Sequence, residues 1–70
     1  MTLIKSIDQE NKTIIFEHRN KVFKMLYDFD DQGRPQPLDV IYPDGKYAEE
    51  GDGIFRTAGF LIRKQKHESF

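Results

Sequence analysis

The chain has 70 residues, of which 33% are charged, a net charge of −1 and no cysteine. This length suits one small domain, which buries only about 60% of the surface of its unfolded chain. Without cysteine the chain has no disulfide, no thiolate nucleophile and no thiolate metal ligand. The sequence shows no signal peptide and no run of about 18 apolar residues, so we expect a soluble, cytoplasmic protein without a membrane partner.

The first 29 residues predict three strands. Residues 3–7 alternate between two faces and favour a short edge strand, because Lys5 interrupts an apolar face. A polar connector then closes a hairpin onto a strand at residues 13–19. Asn20 tolerates positive φ and therefore suits a second tight reversal. The strongest strand signal follows at residues 22–29, where four large apolar side chains share one face: Phe23, Met25, Tyr27 and Phe29.

The middle of the chain predicts a loop and two short strands. Pro35 and Pro37 forbid a central strand, so we predict a stiff loop over residues 30–37. A brief strand at residues 38–42 should turn at Pro43 and Gly45, because proline fixes φ early and glycine supplies positive φ late. Residues 46–49 would return as another short strand.

Residues 54–64 predict the last strand, in which Gly59 marks a bend or bulge. One face of this strand would carry Ile54, Ala58, Phe60 and Ile62, and the other Phe55 and Leu61. Five or six short strands predict an all-β domain, a small curved antiparallel sheet or barrel spanning residues 1–70. Residues 65–70 would form a flexible tail. Apolar residues on both faces of residues 13–29 favour closure of the sheet over an open meander.

Charge is segregated along the sequence. Residues 1–27 have a net charge of +2, residues 28–53 of −6, and residues 54–70 of +3. Blocks of this kind can create a surface with two electrostatic faces that steers a partner. The simpler alternative is that these charges only keep loops and strand faces hydrated.

The acidic block predicts a small, non-catalytic protein-interaction module, an inhibitor or regulator that docks through residues 28–52. Prolines and turn glycines would preorganise this segment and reduce the entropy lost on binding. By analogy with small inhibitors, it could mimic nucleic acid and block a basic cleft. The partner-binding residues would be carboxylates: Asp28, Asp30, Asp31, Asp39, Glu49, Glu50 and Asp52.

A weak calcium-loop pattern begins at Asp28. Asp28, Asp30 and Gln32 stand at positions 1, 3 and 5 of a loop that resembles that of EF-hand proteins, with Gly33 at position 6 and Asp39 at position 12. Gln32 and Asp39 depart from the usual ligands, and two prolines stiffen the second half. The alternative is a hairpin loop whose aspartates accept backbone hydrogen bonds. We therefore predict no metal and no cofactor.

Two other functions remain open. A small nucleic-acid-binding barrel could use a basic face, and a structural subunit could add its edge strand to a larger assembly or to a second copy of the chain. The basic face would consist of Lys21, Lys24, Arg56 and Arg63.

We predict no enzyme, because the two histidines, His18 and His67, stand far apart and no nucleophile motif surrounds the serines.

Overall fold

The computed structural model describes residues 2–65, with the backbone alone at Gln65. The protein forms one open antiparallel sheet of four strands in the order β1-β2-β3-β4, followed by one helix. The fold is therefore mostly β, but it is not a barrel of five to six strands. The elements are β1 (Thr2–Asp8), β2 (Thr13–His18), β3 (Lys21–Phe29), β4 (Pro35–Ile41) and α1 (Gly53–Gln65).

The first three predicted strands are confirmed as a meander joined by tight turns. The β1–β2 turn is held by the Asp8 carboxylate, which accepts hydrogen bonds from the Asn11 backbone N–H (3.1 Å) and Nδ2 (2.9 Å). These bonds lower the pKa of Asp8. Between β2 and β3 the chain reverses in two residues, Arg19 and Asn20, with φ of 53° and 64°. Two consecutive left-handed residues match the right-handed twist of a hairpin.

The fourth strand begins inside the segment predicted as a loop. Pro35 and Pro37 pair with Phe29 and Tyr27 of β3. β4 lies at the edge of the described sheet, where a strand needs no donor on its outer side, so proline is tolerated there. The predicted return strand at residues 46–49 was wrong. It is reduced to a single bridge between Ile41 and Tyr47.

The largest correction concerns residues 54–64, which form most of α1 and not a strand. Ile54, Ala58, Leu61 and Ile62 are buried at the spacing of one helix face. Phe60, predicted to share the buried face, is 67% exposed. Gly59 is an interior helix residue and not a bulge. The predicted tail at residues 65–70 lies outside the described residues, apart from the Gln65 backbone.

The core lies between α1 and one face of the sheet, which we call the inner face. α1 packs mainly against β4 and covers the sheet from that side. Among residues 2–65 no second layer covers the opposite, outer face, so the apolar residues Ile15 and Leu26 are only half-buried there. Closure of the sheet was therefore the wrong expectation. The inner face contributes Ile14, Phe16, Phe23, Met25, Tyr27 and Val40 to the core.

α1, the one helix among residues 2–65, has 13 residues and is neither long nor apolar enough to cross a bilayer.

Candidate functional site

The predicted acidic segment is divided between the two ends of the sheet. β3 has nine residues, so its ends are about 26 Å apart at roughly 3.3 Å per residue. Asp28 and Asp30 lie where β3 ends, whereas residues 42–52 follow the end of β4, beside the start of β3. Asp39 lies between them and pairs with Leu26. The seven predicted carboxylates therefore do not form one surface.

The carboxylates at the β3–β4 turn stabilise the turn itself. Asp30 accepts hydrogen bonds from the backbone N–H groups of Gln32 and Arg34, both at 2.9 Å, and from Nε2 of Gln36 at 3.3 Å. Its other partner is the Arg34 guanidinium, at 3.3 Å. The pKa of Asp30 is lowered, chiefly by the hydrogen bond from the Arg34 backbone. This carboxylate is occupied by the turn, as the alternative to a calcium loop predicted.

Asp28, the first residue of the calcium-loop pattern, also has partners within the protein. Asp28 pairs with Lys12 of the β1–β2 turn at 2.7 Å. This contact, together with the Phe29 backbone N–H, lowers the pKa of Asp28. In the described part of the chain, no three His, Cys, Asp or Glu side chains lie close enough together to hold a metal ion.

At the other end of the sheet, residues 42–52 form an ordered loop, which we call the acidic loop. Its first turn is closed by the Gly45 N–H donating to the Tyr42 carbonyl at 2.9 Å and by the Lys46 N–H donating to the Asp44 carboxylate at 3.0 Å. Gly45 has φ of 94°, which suits glycine. The chain then runs back along β4, where the Ala48 N–H donates to the Val40 carbonyl at 2.7 Å.

Asp52 closes the acidic loop. Its Oδ2 accepts hydrogen bonds from the Tyr42 hydroxyl and from the Glu49 backbone N–H, each at 3.0 Å. The hydrogen bond to Asp52 is the main cause of a raised pKa at Tyr42, and burial and the charges of Asp52, Asp44 and Glu49 raise it further. The charges of all three carboxylates therefore disfavour ionisation of the Tyr42 hydroxyl.

The acidic loop exposes one aromatic side chain, Tyr47, and the carboxylates of Glu49 and Glu50. Tyr47 is 61% exposed, although its backbone is fixed by the bridge to Ile41. The exposed carboxylates of Glu49 and Glu50 make no side-chain hydrogen bond or salt bridge within residues 2–65. A cleft of about 320 Å³ adjoins the loop and is lined by Lys21, Phe23, Tyr42, Pro43 and Asp44.

The four residues of the predicted basic face do not lie on one face. Lys24 is on the outer face, between Ile15 and Ile41 of the neighbouring strands. Lys21 is on the inner face, where it lines a cleft of about 310 Å³ with His18, Arg19 and the start of α1. Arg56 and Arg63 are exposed on α1. The sheet therefore separates Lys24 from the other three.

Two exposed aromatic side chains, Tyr47 and Phe60, were missed as candidate functional residues. Tyr47 lay in a predicted strand and Phe60 on a predicted core face. The signal for Tyr47 was its place in a polar segment rich in glycine and carboxylates. For Phe60, helical spacing from Arg56 and Lys64 would have placed the ring among cations.

No protein-family model matches the chain, and no curated protein or solved structure shows significant similarity to it.

Proposed function

We propose that this protein is a small, non-catalytic interaction module that docks on a basic protein surface through the acidic loop. The observation that carries the proposal is that the backbone of the loop is ordered, whereas three of its exposed side chains make no hydrogen bond or salt bridge within residues 2–65. Asp44 and Asp52 hold the loop, whereas Glu49, Glu50 and the exposed Tyr47 are left for a partner. A preorganised loop loses little conformational entropy on binding.

Each exposed group has a distinct role in this docking. Tyr47 would anchor the complex, because tyrosine offers a large, rigid contact area with a polar tip and is enriched among binding hot spots. Glu49 and Glu50 would steer a basic partner and set the association rate. An inhibitor that occupies a cationic cleft, in the manner of a nucleic-acid mimic, fits this chemistry. We also propose a cytoplasmic location, which suits a chain without cysteine.

The carboxylates at the other end of the sheet have a different role in this proposal. Asp28 and Asp30 are engaged by Lys12 and by the β3–β4 turn. Asp31 remains exposed but lies in the β3–β4 turn, whereas the acidic loop begins where β4 ends, at the opposite end of the sheet. We therefore limit the docking site to residues 42–52.

Edge-strand addition has weaker support. β1 is an edge strand of the described sheet, but its register with β2 shifts between Ile4 and Ser6. Lys5, at this irregularity, pairs with Glu17 at 3.2 Å. A bulge and a charged lysine are features that protect an edge from pairing with another chain.

The test compares capture from native lysate by the wild-type protein, Glu49→Gln/Glu50→Gln, and Tyr47→Ala. The matched control, Glu10→Gln/Asp31→Asn, removes the same charge at exposed sites at the far end of the sheet. For the captured protein, the Glu49/Glu50 variant should associate several-fold more slowly at low salt, since steering falls with charge. Tyr47→Ala should weaken binding by about tenfold or more, mainly through faster dissociation.

The control variant should bind like the wild type. If the double variant at Glu49 and Glu50 captures the same protein with an unchanged association rate, the acidic loop is not the docking site. Equal losses in the control would indicate that net charge, and not this surface, governs binding.

A further inference from the structure

The solvent face of α1 carries cations and an aromatic ring without any acid. At about 100° per residue, Arg56, Phe60, Arg63 and Lys64 fall within an arc of roughly 100°. This arc lies opposite the buried residues Ala58 and Ile62 and therefore faces solvent, with the Arg63 guanidinium lying beside Gly59 at one border of the arc. We call these four residues the basic helix face.

The cations of the basic helix face have no acidic partner within residues 2–65. The three salt bridges of the described structure all involve other cations, Lys5, Lys12 and Arg34. An exposed helix face usually mixes charges of both signs, which form pairs one turn apart. α1 contains no Asp or Glu over its 13 residues. Among residues 2–65, therefore, no acid on the helix or in a salt bridge neutralises its positive potential.

Helix stability explains only part of this charge. Arg63 and Lys64 lie in the last turn, where cations interact favourably with the helix dipole. Arg56 lies near the first turn, where a cation is unfavourable and an acid would be preferred. Helix stability therefore does not explain why Arg56 lies near the N-terminus of α1.

Phe60 is not part of the core. Its side chain is 67% exposed, and its ring has Lys64 Nζ at 5.8 Å from the centroid. A solvated helix face needs no phenylalanine. An exposed ring bordered by cations that have no acidic partner in the described part of the chain has the composition of a surface that stacks a nucleobase and neutralises the adjoining phosphates.

We propose that the basic helix face binds single-stranded nucleic acid, with Phe60 stacking on a base and Arg56, Arg63 and Lys64 contacting phosphates. A single strand is favoured over a duplex because stacking on a side chain requires a base free of its neighbours. An anionic membrane is a poorer fit, since polybasic membrane sites usually contain four to eight lysines or arginines. This surface shares no residue with the acidic loop, so a result that refutes one of the two proposals does not refute the other.

The test is a fluorescence anisotropy titration of the full chain with a labelled oligothymidylate of about 12 nucleotides, between about 50 and 200 mM salt. Three phosphate contacts predict a slope of about −2 for the logarithm of the binding constant against that of the salt concentration. Phe60→Ala should weaken binding by about tenfold with the slope unchanged. Arg63→Gln should make the slope shallower by about 0.7.

Matched variants separate stacking from general apolar or ionic effects. Leu38→Ala removes an apolar side chain that is 55% exposed on β4, and Lys46→Gln removes an exposed cation in the acidic loop. Both should bind like the wild type. Phe60→Leu should bind as weakly as Phe60→Ala, whereas Phe60→Trp should restore binding. Circular dichroism verifies that each variant retains its helix.

Three results would overturn the proposal. The first is no binding at the lower salt concentration, and the second is equal binding by the wild type and Phe60→Ala. The third is binding to a duplex of the same sequence, or to vesicles containing phosphatidylserine, that is at least as tight as binding to the single strand.

Discussion

Replacing Gly59 with alanine should stabilise the protein, although Gly59 is buried where α1 packs against β4. An alanine Cβ at this position would lie 3.1 Å from Nη2 of Arg63 and 3.6 Å from Cγ of Pro37. The distance to Pro37 is an ordinary van der Waals contact. The guanidinium is the end of a flexible, exposed side chain, so it can shift by a few tenths of an ångström at little cost.

The expected gain follows from helix propensity. Glycine in a helix interior is about 0.8–1.0 kcal/mol less favourable than alanine, because the unfolded chain has more conformational freedom at glycine. Displacing Arg63 should offset a few tenths of this, which leaves a net gain of roughly 0.5–0.8 kcal/mol. For a domain of this length, the melting temperature should rise by about 2–6 °C. Thermal and urea unfolding followed by circular dichroism measure both quantities.

A larger residue at the same position provides the control. The side chain in Gly59→Leu would extend beyond the Cβ towards Pro37 and should destabilise the protein by about 1–3 kcal/mol through overpacking. A lower melting temperature for Gly59→Ala would refute the reasoning. It would mean that α1 approaches β4 more closely than the structure has it, or that residue 59 is not in a helix.

Two further predictions concern the core and the β3–β4 turn. Phe16 is fully buried, so Phe16→Ala should lower the free energy of unfolding in urea by about 3–5 kcal/mol. Val22 is exposed on the outer face, so Val22→Ala should lower it far less. Similar losses of stability in the two variants would contradict the open outer face. The pKa of Asp30 is lowered in the folded state, so its stabilising contribution is present above its ordinary value of 3.8 and is lost as the pH falls through the lower folded value. Asp30→Asn should therefore destabilise the protein near neutral pH, and its difference from the wild type should shrink below about pH 4. A difference that does not vary with pH would exclude this role for the carboxylate.

The first three strands could be predicted because their apolar residues alternate over a sufficient length. In β3, Phe23, Met25 and Tyr27 are all buried on the inner face, as their spacing predicted. The start of β4 was predicted as a loop because its two prolines exclude a central strand. Proline is tolerated in an edge strand, and the sequence does not state which strands lie at the edges.

The helix was missed because residues 54–64 satisfy two periodicities. Alternation places Phe60 with Ala58 and Ile62, whereas a helical period replaces Phe60 with Leu61. The structure has Leu61 at 9% exposure and Phe60 at 67%. Tertiary context decides between the two, since an open sheet with one apolar face needs a second layer to cover that face.

The candidate site was only partly predictable, because a charged run in the sequence is not a patch in space. β4 runs the length of the sheet between Asp30 and Asp44, so these two carboxylates lie at opposite ends. Successive connections of an antiparallel meander alternate between the two ends, and counting them would have shown this division. The hydrogen bonds that occupy Asp30 and Asp52 depend on local backbone geometry, which composition does not reveal.

The acidic loop and α1 are physically coupled, and this coupling bears on both proposed surfaces. The loop is held to β4 by the Ala48–Val40 hydrogen bond, and the Asp52 carbonyl accepts a hydrogen bond from the Phe55 N–H at the start of the helix. Asp52 therefore links the Tyr42 hydroxyl to the first turn of α1. Helix docking also buries Ile54 and Ala48 together in the core. Because the same packing orders both segments, a partner that binds the ordered acidic loop also stabilises the docked helix, and with it the basic helix face, by mass action.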